Sequence, residues 1–249
     1  LQARGELDEA LRIRREEELP VYERLGDVRS KAVTQGQIAD VLQARGDLDE
    51  ALRIRREEEL PVYERLGDVR LVAVTKGQIA DVLQARGELD EALRIRREEE
   101  LPVYERLGDV RAKAVTARKI ADILASRGDL DEALRIYREE ALAPIRGMGL
   151  VADEAVFQGF IADVLQARGD LDEALRIRRE EQLPVYERLG DVRAKAVTAR
   201  KIALILLERN TPGDRDEAAE LLRQAHAAAE RMGIPEADQI RQIQDREGF

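Results

Sequence analysis

The chain has no cysteine and no tryptophan, one histidine, and only 3% aromatic residues. Without cysteine there is no disulfide, no thiolate metal site and no cysteine nucleophile. The lone His226 lies in an alanine-rich stretch, where packing or solvent exposure is the expected role. Histidine metal motifs, glycine-rich phosphate loops and serine nucleophile elbows are missing as well. An enzyme is therefore not expected, and neither a cofactor nor a metal is. No apolar run approaches membrane-spanning length and no secretory signal is visible, so a cytoplasmic protein without a membrane partner is expected. The 42 basic and 52 acidic residues leave a net charge of −10. Phosphate binding needs a basic face, which argues against nucleic acid. A basic peptide or protein segment is the electrostatically easier partner.

What is present is repetition. Leu-Gln-Ala-Arg-Gly starts at Leu1, Leu42, Leu83 and Leu165, with variants at Leu124 and Leu206, a spacing of 41 residues or a multiple of it. Residues 1–41 and 42–82 differ at four positions, and 42–82 and 83–123 at seven. A fixed period of this size is the mark of a solenoid, in which each unit buries its apolar face against its neighbours. The sequence starts without Met and inside a repeat, so the first repeat is expected to be incomplete and the chain a fragment.

One copy shows what each unit folds into. Gly46 supplies a left-handed helix stop, and Asp47, with Glu50 three residues on, reads as the cap of the next helix. Leu48, Ala51, Leu52 and Ile54 give that helix an apolar stripe. Leu66-Gly67-Asp68 repeats the stop and start, and Val69, Val72, Ala73, Ile79, Ala80 and Leu83 form the stripe of the helix after it. Each unit is thus an antiparallel helix pair with turns too short for catalytic insertions. The second helix carries a proline inside its pattern, at Pro20, Pro61, Pro102 and Pro184. Such a proline removes a hydrogen bond and costs roughly 3 kcal/mol in an ordinary helix. From Ala51 to Gly67 is also one residue longer than from Ala218 to Gly233, where proline is missing. A local widening of the helix accounts for both. Arg55 and Glu59, repeated as Arg96 and Glu100, stand where the fourth copy has Tyr137 and Ala141. They read either as partly buried polar pairs in place of an aromatic contact or as solvated charge pairs.

Ile38-Ala39, Leu42 and Gly46-Asp47-Leu48-Asp49-Glu50-Ala51-Leu52 together resemble the tetratricopeptide repeat family. The Leu66-Gly67-Asp68 turn resembles the long-helix variety found in kinesin light chains and Leu-Gly-Asn repeat adaptors. The resemblance covers essentially all 249 residues. Two departures stand out. Ala39 replaces the usual glycine, and Gln35, Lys76, Ala117, Gln158 and Ala199 replace the usual aromatic residue of the first helix. The resemblance implies an all-α, right-handed α-α superhelix over residues 1–249 as a single solenoid domain. A helix over about 235–246 would close it, with Ile234, Ala237, Ile240 and Ile243 covering the last repeat. It also implies that the first helix of each pair lines a concave groove for a protein or peptide partner. A clamp for a C-terminal carboxylate is not expected, because Asp40 and Ala44 stand where the family places an amide and a lysine.

Helical spacing puts Val33, Gly36, Asp40 and Gln43 on one stripe of that first helix. The aspartate recurs as Asp81, Asp122 and Asp163, the glutamine as Gln84 and Gln166, and the glycine as Gly77 and Gly159. A mid-helix glycine costs about 1 kcal/mol against alanine and lets backbone be approached closely. A peptide lying along the groove would suit all three, and a row of carboxylates would favour a basic one. Bonds between aspartates and neighbouring helices explain the row equally well. Arg118 replaces the glycine in one copy, four residues before Asp122, where it can neutralise that carboxylate. Phe160 is either a groove anchor or a filler against the altered Pro144-Ile145-Arg146-Gly147 segment. The function expected is a non-enzymatic interaction scaffold. The alternatives are a structural, self-associating array, since near-identical units can stack head to tail, and the sensor or regulatory arm of a larger protein.

Overall fold

The computed structural model describes residues 2–249, with side chains from Gly5 onward. Every regular element among the described residues is helical. Twelve helices run in order: α1 (2–25), α2 (Val28–Arg45), α3 (48–65), α4 (Val69–Ala85), α5 (89–107) and α6 (Val110–Ser126). The series continues with α7 (130–147), α8 (Val151–Arg168), α9 (171–189), α10 (Val192–Arg209), α11 (Asp214–Met232) and α12 (Glu236–Glu247). The chain divides into two compact units, one ending at Ile123 and the other beginning at Leu124.

The turns follow from a few residues. Gly26, Gly46, Gly67, Gly87 and Gly108 all have positive φ between 63° and 89°, where a side chain would be strained. At the Leu-Gly-Asp turns the aspartate caps the following helix: Asp27 accepts from the Ser30 amide at 2.9 Å and Asp68 from the Leu71 amide at 3.0 Å. At the other turn the expected cap does not form. The Asp47 side chain makes no capping bond and lies 3.0 Å from the Arg45 guanidinium instead.

The odd-numbered helices α1 to α9 are not uniform. Each contains one wide turn of π-helix, at Ile13–Glu18, Ile54–Glu59, Ile95–Glu100, Tyr137–Leu142 and Ile177–Gln182. Within them hydrogen bonds reach five residues back, as from the Leu60 amide to the Arg55 carbonyl. The extra residue of these helices is taken up there, and the proline follows two residues after the turn ends. At that place its missing N–H falls in the first turn of the resumed α-helix. Helix α11, without the extra residue or the proline, is α-helical throughout.

Small aliphatic residues fill the space between helices. In the N-terminal unit Ile38, Ala39 and Leu42 of α2 and Ala51, Leu52 and Ile54 of α3 are all at most 5% exposed. The alanine at the place of the usual glycine, Ala39 or Ala80, is completely buried. In the C-terminal unit α12 buries Ala237, Ile240 and Ile243.

Candidate functional site

The stripe read on the first helices sits directly over the wide turns of the second helices. That neighbourhood decides its chemistry. Arg55, in the wide turn of α3, is fully buried. Its guanidinium donates to Asp40, to Glu59 at 2.9 Å and to Gln78 at 2.9 Å. Arg96, also fully buried, donates to Asp81 and to Glu100 at 2.8 Å. In the C-terminal unit Arg178 donates to Asp163 at 2.6 Å and to Gln182 at 2.9 Å. The pairs read in sequence as partly buried are thus wholly buried. The place of Arg55 and Arg96 is taken by Tyr137, 1% exposed, in the fourth copy.

The four aspartates are therefore not a row of bare charges. Asp40 is bound by Arg55, and Asp81 by Arg96 and by Lys119 Nζ at 2.6 Å. Asp122 accepts from Arg118 at 2.5 Å, the neutralisation that their spacing implied. Asp163 lies between Arg178 and Lys201. Each bond ties two helices together, or two turns of one helix. The carboxylates still reach solvent: the Asp40 side chain is 56% exposed and Asp163 38%. Charge varies by copy. Asp40, Arg55 and Glu59 sum to one negative charge, whereas Lys119 brings the equivalent cluster around Asp81 to neutrality.

The glycines have a different role from the one expected. A Cβ on Gly36 would stand 2.6 Å from a Glu59 carboxylate oxygen, one on Gly77 2.5 Å from that of Glu100, and one on Gly159 would collide with the Gln182 amide. The close approach is made by the chain's own buried side chain. Glu59 and Glu100 need that room, because Arg55 or Arg96 holds each from one side and Thr75 or Thr116 from the other. Burial pushes the carboxyls of both glutamates above their ordinary range, against the pull of the neighbouring arginine. Burial likewise lowers the Arg178 guanidinium.

The remaining candidates divide. Gln166 donates to Glu208 at 2.7 Å, across to the next first helix, while Gln43 and Gln84 are half-buried. Phe160 stacks on Tyr137, with ring centroids 6.2 Å apart and planes 15° from parallel. It is half-buried on an aromatic of the preceding second helix. A set of polar struts was not read from the sequence. At the place of the usual aromatic, Gln35 donates to Glu58 at 2.6 Å, Lys76 pairs with Glu99 at 2.7 Å, and Gln158 donates to Glu181 at 2.6 Å. Their signal was the constant 23-residue offset between partners.

Between α4 and the following first helix, α6, the N-terminal unit has an open cleft of about 410 Å³. Val74 and Val115 line it with apolar surface, Tyr104 and Gln78 with polar groups, and Arg70, Asp81 and Lys119 with charge. No cluster of side chains able to hold a metal occurs among the described residues, and no helix among them is long and apolar enough to cross a membrane.

No match is found among curated proteins. The model of the Tetratricopeptide repeat matches residues 33–57, 80–98, 121–139 and 155–180. Among solved structures, BtubC (BKLC) from P. vanneervenii is similar with a TM-score of 0.71 at 18% identity, covering 92% of this chain and 91% of that one. The nearly identical TPR-like repeats of a kinesin light chain-like protein from Podosopora anserina align with a TM-score of 0.65 at 18% identity. The match covers 81% of this chain and 96% of that one. A signal-transduction ATPase with a tetratricopeptide repeat sensor from Pyrococcus horikoshii has a TM-score of 0.64 at 15% identity over 88% of this chain and 36% of the other. At such identities these structures establish the fold alone. With the repeat model matching within four successive copies of the 41-residue unit, the chain carries tetratricopeptide repeats.

Proposed function

We propose that the chain is a non-enzymatic scaffold that holds an extended protein segment against its first helices. The observation that carries this reading is the cleft beside α4 and α6, where aliphatic surface lies among fixed charges of both signs. Buried apolar contact supplies affinity at such a place, and oriented charges supply register. Arg96 and Lys119 already hold Asp81, so this cleft does not select for a strongly cationic segment. The preference for a basic ligand belongs at Asp40, where the cluster keeps a net negative charge and the carboxylate is the most exposed of the four.

Selection of peptides from a displayed random library on the purified chain tests the proposal. Binders should lose affinity at least tenfold with Val74→Glu or Val115→Glu. Those with a Lys or Arg near one end should weaken with Asp40→Asn and with salt. If every selected peptide binds these three variants as it binds the parent, the groove reading is wrong.

A further inference from the structure

The N-terminal unit has two edges of opposite character. Along one edge run the turns from first to second helix, such as Arg45-Gly46-Asp47-Leu48-Asp49-Glu50 and Arg86-Gly87-Glu88-Leu89-Asp90-Glu91, each with two net negative charges. Along the other run the turns from second to first helix, such as Glu64-Arg65-Leu66-Gly67-Asp68-Val69-Arg70, in which the charges cancel. Every turn of this second edge leaves a pair of aliphatic side chains in water. Leu25 and Val28 are 72% and 53% exposed, Leu66 and Val69 45% and 50%, and Leu107 and Val110 47% and 49%. Among the described residues they are six of the eight large apolar side chains exposed in this unit, the others being Val21 and Val33. The C-terminal unit repeats the pattern on its own, at Leu189 and Val192.

The three pairs belong to one continuous row. Arg29 of the first turn reaches Asp68 of the second at 2.9 Å, and Arg70 of the second reaches Asp109 of the third. The ion pairs join each turn to the next and pair charges of opposite sign along the edge. Single exposed leucines are ordinary on a protein surface, but an apolar pair recurring at every turn of one edge, and at none of the other, is a patterned surface.

We infer that this edge is a contact surface between two copies of the chain. Two features select a second copy as the occupant. An array with a 41-residue period carries aliphatic pairs at a spacing that only another array of the same period matches pair for pair. The turns of this edge also carry no net charge, so two copies of a chain with net charge −10 can approach there without the repulsion the acidic edge would impose. With a two-fold axis through the middle turn, Leu66 and Val69 meet their own counterparts. Leu25 and Val28 then meet Leu107 and Val110 of the other copy, the self-complementary form of a two-fold interface. The pairs are small and separated by polar turns, so the association is weak and reversible.

Sedimentation equilibrium of the purified chain from micromolar to near-millimolar concentration is the test. The weight-average mass should rise toward that of a dimer. Leu66→Lys should hold it at the monomer value while leaving helicity and unfolding midpoint unchanged, since the Leu66 side chain is half exposed and its capping bond, from the backbone N–H to the Val62 carbonyl, is one that lysine keeps. The chain has no cysteine, so Leu66→Cys supplies one thiol at the axis. It should form a disulfide dimer on mild oxidation many times faster than Asp49→Cys on the acidic edge, where the side chain is 90% exposed. A parent that stays monomeric throughout overturns the inference. So does association that survives Leu66→Lys, which would place the contact elsewhere, and so does equal cross-linking of the two cysteine variants.

Discussion

Pro144 stands seven residues after Tyr137, the first residue of its wide turn, as Pro61 stands seven after Ile54. In the fourth second helix the proline has moved one place along the repeat, and the turn has moved with it. The proline therefore sets where the extra residue is absorbed: the wide turn ends just before the ring, so that the ring falls where no helical N–H is required. Exchanging the two residues, Ala143→Pro with Pro144→Ala, should open the turn at Ile136 instead of Tyr137. A crystal structure of the double variant checks this, and a turn that stays at Tyr137 would show that side-chain packing places it.

Gly77→Ala should destabilise the chain, although alanine is the better helix former by about 1 kcal/mol. The new methyl would meet the Glu100 carboxylate, which Arg96 and Thr116 hold in place. Overpacking of this kind costs roughly 1–3 kcal/mol, enough to outweigh the gain in propensity. Adding Glu100→Ala should make the alanine at 77 favourable again relative to glycine. Urea unfolding of the four members of this cycle measures the coupling, and additivity would refute the contact.

Arg96→Met should cost about 3–5 kcal/mol, because it strands a buried carboxylate at Glu100. Replacing the whole set with that of the next copy, as Arg96→Tyr, Glu100→Ala and Lys119→Phe, should recover most of the loss. Tyr137, Ala141 and Phe160 show that an aromatic stack fits the same backbone. Thermal unfolding followed by circular dichroism ranks the three proteins. A triple variant no more stable than Arg96→Met would contradict the exchange.

Glu59 and Glu100 bind a proton more readily in the folded chain than in the unfolded one, because burial raises them above 4.5. A group of this kind contributes stability at low pH and loses the contribution as pH rises through its native value. Glu59→Gln with Glu100→Gln removes that dependence, and Gln182 shows an amide already in the same place. The advantage of the double variant over the parent should be largest at neutral pH and shrink as pH falls toward 4.5. Urea unfolding across that range reads the difference, and an advantage that grows on acidification would reverse the assignment.

The helices, their glycine stops, the aspartate cap of the Leu-Gly-Asp turn and the wide turn were legible because each rests on residues adjacent in sequence: Gly67 with Asp68, or an extra residue with Pro61. The partners across the stack were harder. Asp40 and Arg55 are 15 residues apart, and a wide turn lies between the start of α3 and its proline, so a helical wheel counted through the second helix drifts off its true face. Gly36 looked like room for a ligand because glycine reports only that something comes close. What comes close is Glu59, 23 residues on, and the same offset links Tyr137 to Phe160 and Gln35 to Glu58. Comparing copies at that fixed offset would have exposed the pairing, since a long polar residue stands 23 places after Gly36, Gly77 and Gly159, while Ala141 stands 23 after Arg118.

The ion pairs along the edges, Arg29 with Asp68 and Arg70 with Asp109, or Arg45 with Asp8 and Arg86 with Asp49, are the same joint made twice. Excising residues 42–82 would bring Arg29 to Asp109 and Arg86 to Asp8, so the shortened chain inherits a seam it already knows how to close. Array length is thereby uncoupled from sequence invention. A coding region with near-identical tandem segments can gain or lose one by unequal recombination, and the product needs no compensating mutation to fold. Selection can then adjust the reach of the molecule in whole-repeat steps.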